Sequence, residues 1–504
     1  MEFLKKYHKW LSIILAFIII LFSISGILLN HRKALSNFDI SRNYLPNEYS
    51  IKNWNNAAVK STLKLSSDSI LIYGNMGVWL TDSNFIGFTD FNNGFPQGID
   101  NKKISTLLLT SEQKLIAATF FGLYEYNYKE SKWNKVLIPT SEKRIVDLIQ
   151  KDNKIYILSR SHLIIANKNL ADFKVMELPA PENYDNKIGL FKTLWVIHSG
   201  EIYGSIGKFI VDIVGLIFIF LTITGVVIFI NKKRIIKKAI NKKPFAKTKA
   251  VNIWNLKWHN KIGWTTVILL IITTATGMFL RPPLIITVAN AKVSKFPGSE
   301  LDTPNPWFDK LRRILYDEQK ERFLVSTLDG FYYSDTNFND SLKRFKFQPP
   351  ASIMGVNVFR KQSSDTYLVG SFEGLFEWNP SKNTVIDYIK KEPWKKPEKM
   401  GPPIGDYLVT GYTTDFKDNE IVFDYDKGAF NINGGESIFM PAKIANTYRM
   451  SLWNLGLEVH TGRIFEFLLG SFYVLIIPLS GFGILFILIS GTWVWWKTYR
   501  GVKY

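Results

Sequence analysis

Residues 7–32 read YHKWLSIILAFIIILFSISGILLNHR, an apolar run with a histidine near each end, His8 and His31. A bilayer-spanning helix needs about 20 predominantly apolar residues. This run supplies them over 10–29, and 209–230, 264–280 and 465–496 have the same character, so four transmembrane helices are expected. Lys5 and Lys6 ahead of the first run resemble a secretory signal, but Asn30, His31 and Arg32 follow it instead of a small-residue cleavage site, which predicts a retained helix. The chain has only six histidines in 504 residues, and a histidine inside a membrane is costly enough to suggest a function. The third block opens WHNKIGWTTVILLIITTATG at Trp258. His8 precedes Gly26, and His259 precedes Gly277, by the same interval of about five helical turns. Each histidine therefore shares a helix face with a Ser/Thr-Gly pair.

The formal net charge of +20 invites a nucleic-acid partner, but the distribution of charge excludes it. NKKRIIKKAINKKPFAKTK, residues 231–249, is densely basic and lies between the second and third blocks. Lys5, Lys6 and Lys9 lie at the start of the first block, and Lys497, Arg500 and Lys503 end the fourth. All three clusters fall on one side of a four-helix chain, so the positive-inside rule places both termini in the cytoplasm. The basic segment is then a topology signal and a contact for anionic lipid headgroups. The expected organisation is helix one at 1–32, an extracytoplasmic half at 33–197, helix two at 198–231 and a basic cytoplasmic loop at 232–258. Helix three follows at 259–285, a second extracytoplasmic half at 286–459, helix four at 460–497 and a cytoplasmic tail at 498–504. The chain has no cysteine, which excludes disulfides, thiol relays and cysteine-ligated metals.

Each outer half carries a recurring unit: an apolar strand, a glycine, then an aliphatic-aromatic pair opening another strand. The copies are LIYGNMGVW (71–79), LIAATFFGLY (115–124), FLVSTLDGFY (323–332), YLVGSFEGLF (367–376) and IVFDYDKGAF (421–430). A degenerate sixth, IYILSRSHLIIA (155–166), has Ser161 and His162 where the glycine would stand. His162 is expected to be an ordinary turn residue, and Asp329, Glu373 and Asp426 are expected to serve turns. Spacings of about 40 to 54 residues fit four-stranded propeller blades. Three units per half predict six blades in one ring, with two independent β-meanders or sandwiches as the alternative. The units resemble the sensor propellers attached to bacterial two-component regulators. The fold class expected is a mixed membrane protein: a four-transmembrane-helix bundle with an all-β, propeller-like extracytoplasmic domain built from two insertions.

The membrane half is itself duplicated. HSGEIYGSIGKFIVDIVGLIFIFLTITG begins at His198 and HTGRIFEFLLGSFYVLIIPLSGFGILFILISG at His460, each opening with His-(Ser/Thr)-Gly and closing with (Ser/Thr)-Gly. His8 and His259 start outward-going helices and belong near the cytoplasmic face; His198 and His460 start inward-going helices and belong near the outer face. In an antiparallel bundle, helices one and three are diagonal, as are two and four. Each same-side pair then places two imidazoles across the bundle axis, and bundle cores house cofactors in this way. Two axial histidines per iron is b-type haem chemistry, one or two haems in all, and needs no cysteine. Gly26 and Gly277 would give room for a porphyrin or for close helix packing. The alternative is that these histidines are interfacial, like Trp10 and Trp258 beside them. His31 breaks the symmetry, because Pro282 occupies its equivalent position. It is either a surface residue or an alternative outer ligand.

HKWLSIILAFIIILFSISGILLNHR, WHNKIGW and HTGRIF resemble the PepSY-associated transmembrane family. That family includes bacterial inner-membrane ferric-siderophore reductases that bind b haem through helix-end histidines. The resemblance implies His8, His198, His259 and His460 as axial ligands of haem iron, with Arg463 holding a propionate through a charge-assisted contact. It also implies a multi-pass protein of the inner membrane with its large domains in the periplasm. Family members usually carry a small α/β domain outside, whereas this chain has propeller-like repeats, so the resemblance supports the electron-transfer core more than any substrate. His8 and His31 are about 35 Å apart along helix one. Electron transfer between such levels would need broken helices or porphyrin overlap, and Gly200, Gly204 and Gly207 offer a place for a break.

The function expected is an inner-membrane haem-b oxidoreductase that passes electrons outward to an extracytoplasmic acceptor, a ferric chelate such as a ferric siderophore by resemblance alone. The short cytoplasmic segments have no phosphate-cradling loop and no room for a flavin domain, so the donor would be membrane quinol or a redox partner protein. The competing class is a non-enzymatic, membrane-anchored propeller serving as a binding or scaffold subunit for an envelope protein partner. No nucleophile elbow or zinc motif supports a hydrolase.

Overall fold

The computed structural model describes residues 1–352, 354–395, 405–417, 419–434 and 438–501; Lys503 lies outside the described residues. The chain divides into two compact units. One comprises Met1–Leu35, Asn186–Asp302 and the segment from Leu452 onward, and the other Ser36–Asp185 and Thr303–Ser451. The boundaries lie inside the expected ones. Residues 33–35, 186–197, 286–302 and 452–459, read as parts of the β halves, belong to the helical unit.

The helical unit has four stretches long and apolar enough to cross a membrane: Glu2–Asn30, Glu201–Ile240, Ala246–Met278 and Arg463–Thr498. Spanning helix one packs on two and four, and three also packs on two and four, so one and three stand diagonally, as do two and four. Leu15, Ile19 and Ile484 form the small buried core. Outward-facing side chains such as Ile14 (70% exposed) and Phe17 (67%) are apolar, as a surface solvated by lipid tails requires. The basic segment is not the loop expected. Spanning helix two continues to Ile240 and helix three starts at Ala246, which leaves a short connection. Lys, Ala and Ile form helix readily enough, and Lys237 and Lys238 in the last turn oppose the negative end of the helix dipole.

Two short helices lead into the bundle, Leu190–Ser199 before spanning helix two and Leu452–His460 before four. The first packs on helix three and the second on helix one. These contacts are why both belong to the helical unit.

The β unit contains six consecutive antiparallel sheets, three from each insertion. Their first strands are Ser61–Ser66, Ile104–Leu109, Ile145–Lys151, Leu311–Asp317, Val358–Lys361 and Val409–Thr413. Four sheets have four strands, the fifth has five, and the sixth has three among the described residues. Each first strand touches the first strand of the next sheet, and Val409–Thr413 touches Ser61–Ser66, so the series of contacts closes. Both junctions between the insertions are apolar cores. Tyr156, Leu158 and Leu163 pack with Leu311, Phe323 and Val325 at one. Ile70, Ile72 and Trp79 pack with Ile421, Phe423 and Ala429 at the other. At the second junction Thr62 Oγ1 lies 2.5 Å from Thr413 Oγ1, and the Asn56 N–H donates to Tyr425 O at 2.7 Å.

The repeat glycine opens the third strand in five sheets. Gly77, Gly122, Gly330, Gly374 and Gly428 all have positive φ, from 82° to 149°. Gly74 faces Gly77 across the first of these tight hairpins, and an L side chain at such a φ would be strained.

Candidate functional site

Each of the four bundle histidines leaves one helix and is received by a Ser/Thr-Gly pair on another. His8 Nδ1 lies 3.0 Å from Ile487 O and 3.3 Å from Ser490 Oγ. His460 Nδ1 lies 3.0 Å from Phe22 O and 3.1 Å from Ser25 Oγ. His198 Nδ1 lies 2.9 Å from Thr273 O, a carbonyl that also accepts from the Thr276 hydroxyl at 3.1 Å. His259 Nδ1 lies 3.0 Å from Thr224 Oγ1, whose own hydroxyl donates to Phe220 O at 2.8 Å. A carbonyl only accepts, and a hydroxyl whose proton is spent does the same, so Nδ1 is the donor in all four rings. Nε2 therefore keeps its lone pair.

The glycines explain how the rings fit. A Cβ on Gly277 would lie 2.6 Å from His198 Cε1, one on Gly491 2.8 Å from His8 Cε1, one on Gly26 3.1 Å from His460 Cε1 and one on Gly225 3.4 Å from His259 Cε1. The shared His–Gly interval thus has a cause the sequence reading did not supply. The glycine seats an imidazole from a different helix, and its own helix's histidine belongs to the other end of the bundle. Along helix one the two levels, His8 and Gly26, are about 27 Å apart.

The rings meet in the pairs expected from diagonal helices. His8 and His259 have centroids 6.5 Å apart with planes at 86°, and His198 and His460 5.8 Å apart at 41°. Imidazole–metal bonds of about 2.0–2.1 Å from two Nε2 atoms put the ring centres about 6 Å apart, so both separations suit one metal between two histidines. No cluster of three or more His, Asp or Glu suited to a metal occurs among the described residues.

The lead-in helices supply the break, at Gly200 and Gly204 of the three glycines the sequence offered; Gly207 lies inside the spanning helix. His198 and His460 lie in their last turns, and Gly200 (φ 80°) and Gly462 (φ 74°) end those helices in the left-handed conformation. Gly204 (φ 56°) and Gly470 (φ 51°) then redirect the chain into the spanning helices. The histidines are thereby carried to the level of Ser25-Gly26 and Thr276-Gly277.

Arg463 pairs with Glu458 at 3.3 Å and lies 4.0 Å from Glu466. Arg281, which the sequence reading missed, lies within electrostatic reach of His460, Glu458 and Arg463. Its only sequence signal was a lone cation closing an apolar run. His31 stands apart from the pairs: its Nε2 is 2.8 Å from Asp212, which also accepts from Asn30 Nδ2 at 2.9 Å. His162 sits in the third sheet's hairpin turn, with its Nδ1 3.6 Å from Glu142 and its backbone N–H donating to Ser159 Oγ.

The PepSY-associated TM region family matches residues 5–498. The chain belongs to this family. No curated protein matches it. Among solved structures, this PepSY-associated chain is similar to the extracellular domain of the hybrid two component system BT4673 of B. thetaiotaomicron, at 10% identity and TM-score 0.34, over 75% of this chain and 39% of that one. The extracellular domain of BT3049 of the same organism is similar at 12% identity and TM-score 0.32, over 74% and 38%. PorZ, a surface component of the type-IX secretion system of Porphyromonas gingivalis, is similar at 11% identity and TM-score 0.28, over 78% and 39%. The chain spans about two fifths of the length of these proteins.

Proposed function

We propose that the helix bundle is an electron conduit holding two b haems, one between His8 and His259 and one between His198 and His460, and that it serves an extracytoplasmic acceptor. The observation that carries this reading is the repeated geometry: four imidazoles in two facing pairs, each with Nδ1 committed to a helix acceptor and Nε2 left for a metal. Second-sphere bonds of this kind fix ring orientation and raise ligand basicity. Haem bound there supplies one-electron reduction and oxidation at iron. The protein's part is to hold the rings, exclude water with the apolar bundle, and place cations near the outer pair, Arg281 and Arg463, where propionates need balancing charge.

In this reading the His8–His259 pair lies on the cytoplasmic side of a bacterial inner membrane and the β unit in the periplasm, which the basic ends of the spanning helices support through the positive-inside rule. The six sheets are then six blades of one propeller. Quinol or a redox partner would supply the electrons, and each ferric ion of an acceptor chelate would take up one. The chelate rests on the family resemblance alone.

The test is the visible spectrum of the purified full chain. A Soret band that shifts on dithionite, with two haems per chain, is expected. His8→Ala and His259→Ala should each remove the same haem, and the double variant should lose no more than either single, because the pair acts as a unit. His198→Ala and His460→Ala should behave alike for the other haem, and His31→Ala should leave both. A haem-free wild type, or haem content unmoved by all four ligand variants, ends the proposal.

A further inference from the structure

We infer that the centre of the β unit binds a small oxyanion, a carboxylate or phosphate group, against Lys60. The inference does not rest on the haem reading. The first strands of three consecutive sheets, starting at Ser61, Ile104 and Ile145, are each preceded by a cation: Lys60, Lys103 and Arg144. Arg313 stands in the first strand of the fourth sheet. Because first strands touch one another around the closed series, these cations converge, and Arg144, Lys103 and Arg313 all act electrostatically on Lys60.

The carboxylates of the neighbouring elements are already engaged. Asp100 pairs with Lys103 at 2.6 Å and Asp147 with Arg313 at 2.9 Å. Asp415 accepts from the Thr62 hydroxyl at 2.5 Å, and Asp424 from the Leu408 N–H at 2.6 Å. The Arg144 guanidinium lies over the Phe120 ring at 4.5 Å. The Lys60 ammonium alone in this group has no hydrogen-bond or carboxylate partner among the described residues.

Its backbone is held firmly nonetheless. The Lys60 N–H donates to Tyr73 O at 2.8 Å. A Cβ on Gly74 would lie 2.8 Å from Lys60 N, and one on Gly411 2.5 Å from Lys60 O. The side chain is partly buried, so a cation there without a counter-charge is costly, and a bound anion would offset the cost through charge-assisted hydrogen bonds. Burial, and then the three neighbouring cations, push the Lys60 ammonium down to about 7. An anion beside the ammonium would favour its charged form, so anion binding and protonation of Lys60 are linked.

Calorimetric titration of the full chain in detergent with citrate and with inorganic phosphate, at pH 6 and pH 8.5, tests this. At least one anion should bind, with proton uptake near pH 7.5 and an affinity roughly ten- to thirtyfold weaker at pH 8.5, as a group titrating near 7 requires. Lys60→Met should abolish binding yet unfold at a higher temperature than anion-free wild type at pH 6, because it removes the unpaired charge. Lys60→Gln is the second variant should the first misfold. Citrate binding without phosphate identifies a carboxylate ligand, and the reverse a phosphate. Failure of both anions to bind, unchanged binding in Lys60→Met or Lys60→Gln, or affinity independent of pH overturns the inference.

Discussion

At the scale of single residues, the bundle depends on absent methyl groups, at Gly277 and Gly491 above all. The would-be Cβ distances rank the glycines, and the ranking is a prediction. Gly277→Ala and Gly491→Ala drive a methyl into an imidazole held by its Nδ1 bond. Each should cost about 1–3 kcal/mol, the range for overpacking, and, if the proposed haems are bound, should empty the site of its own histidine pair while sparing the other. Gly225→Ala, at ordinary contact distance, should stay near wild type in melting temperature and haem content. Equal damage from Gly225→Ala and Gly277→Ala would refute the seating role. The histidine pairing was legible in the sequence because four of six histidines stood at symmetry-matched places. The seating was not, because an interval along one helix does not say which neighbour faces it. Arg281 and Lys60 escaped notice for a related reason. A lone cation gains meaning only from what folding brings beside it.

At the scale of elements, the lead-in helices are the departure from the expected spans. Their sequences, LFKTLWVIHS and LWNLGLEVH, are apolar enough to read as strand ends or as parts of the spans, and the glycines that separate them look like ordinary helix glycines. Only positive φ at Gly200 and Gly462 distinguishes a terminator from a packing residue. Gly462→Ala should therefore cost about 1–2 kcal/mol, the left-handed penalty, although its Cβ would meet Ile476 at an ordinary 3.4 Å. Gly462→Asn should recover part of that, since asparagine tolerates the conformation. Gly200→Ala should be worse, with its Cβ 2.2 Å from Gly207 O. Thermal unfolding of the detergent-solubilised chain reads all three, and a Gly462→Ala midpoint equal to wild type would mean the break is not a constraint. The repeats, by contrast, were legible because the hairpin turn demands glycine at one fixed place. In the third sheet, Ser161 and His162 make that turn without it, with the Ser159 hydroxyl accepting from the His162 N–H.

At the scale of the whole molecule, the alternation of spanning helices with two three-sheet insertions was legible from hydropathy and spacing, while the exact borders depended on packing that no composition shift marks. Orientation is open to direct test in a cysteine-free chain. A cysteine at Lys242 should resist impermeant thiol reagents in intact spheroplasts and one at Asn127 should label; labelling at Lys242 would reverse the assigned sides. Residues 36–185 expressed alone should be poorly folded and should recover on co-expression with residues 303–451, because each leaves open the apolar junctions around Leu311 and Ile70. A well-folded monomer from either half alone would show that the junctions are dispensable. The junction of the first sheet with the sixth also sets a schedule. At about 5–20 residues per second of synthesis, the first three sheets wait on the order of ten seconds or more for the strand Val409–Thr413 that covers them. Throughout that delay their sticky flanks are open to strangers, so the newborn chain needs either a chaperone's company or slow, forgiving encounters, and its yield will be decided in that interval.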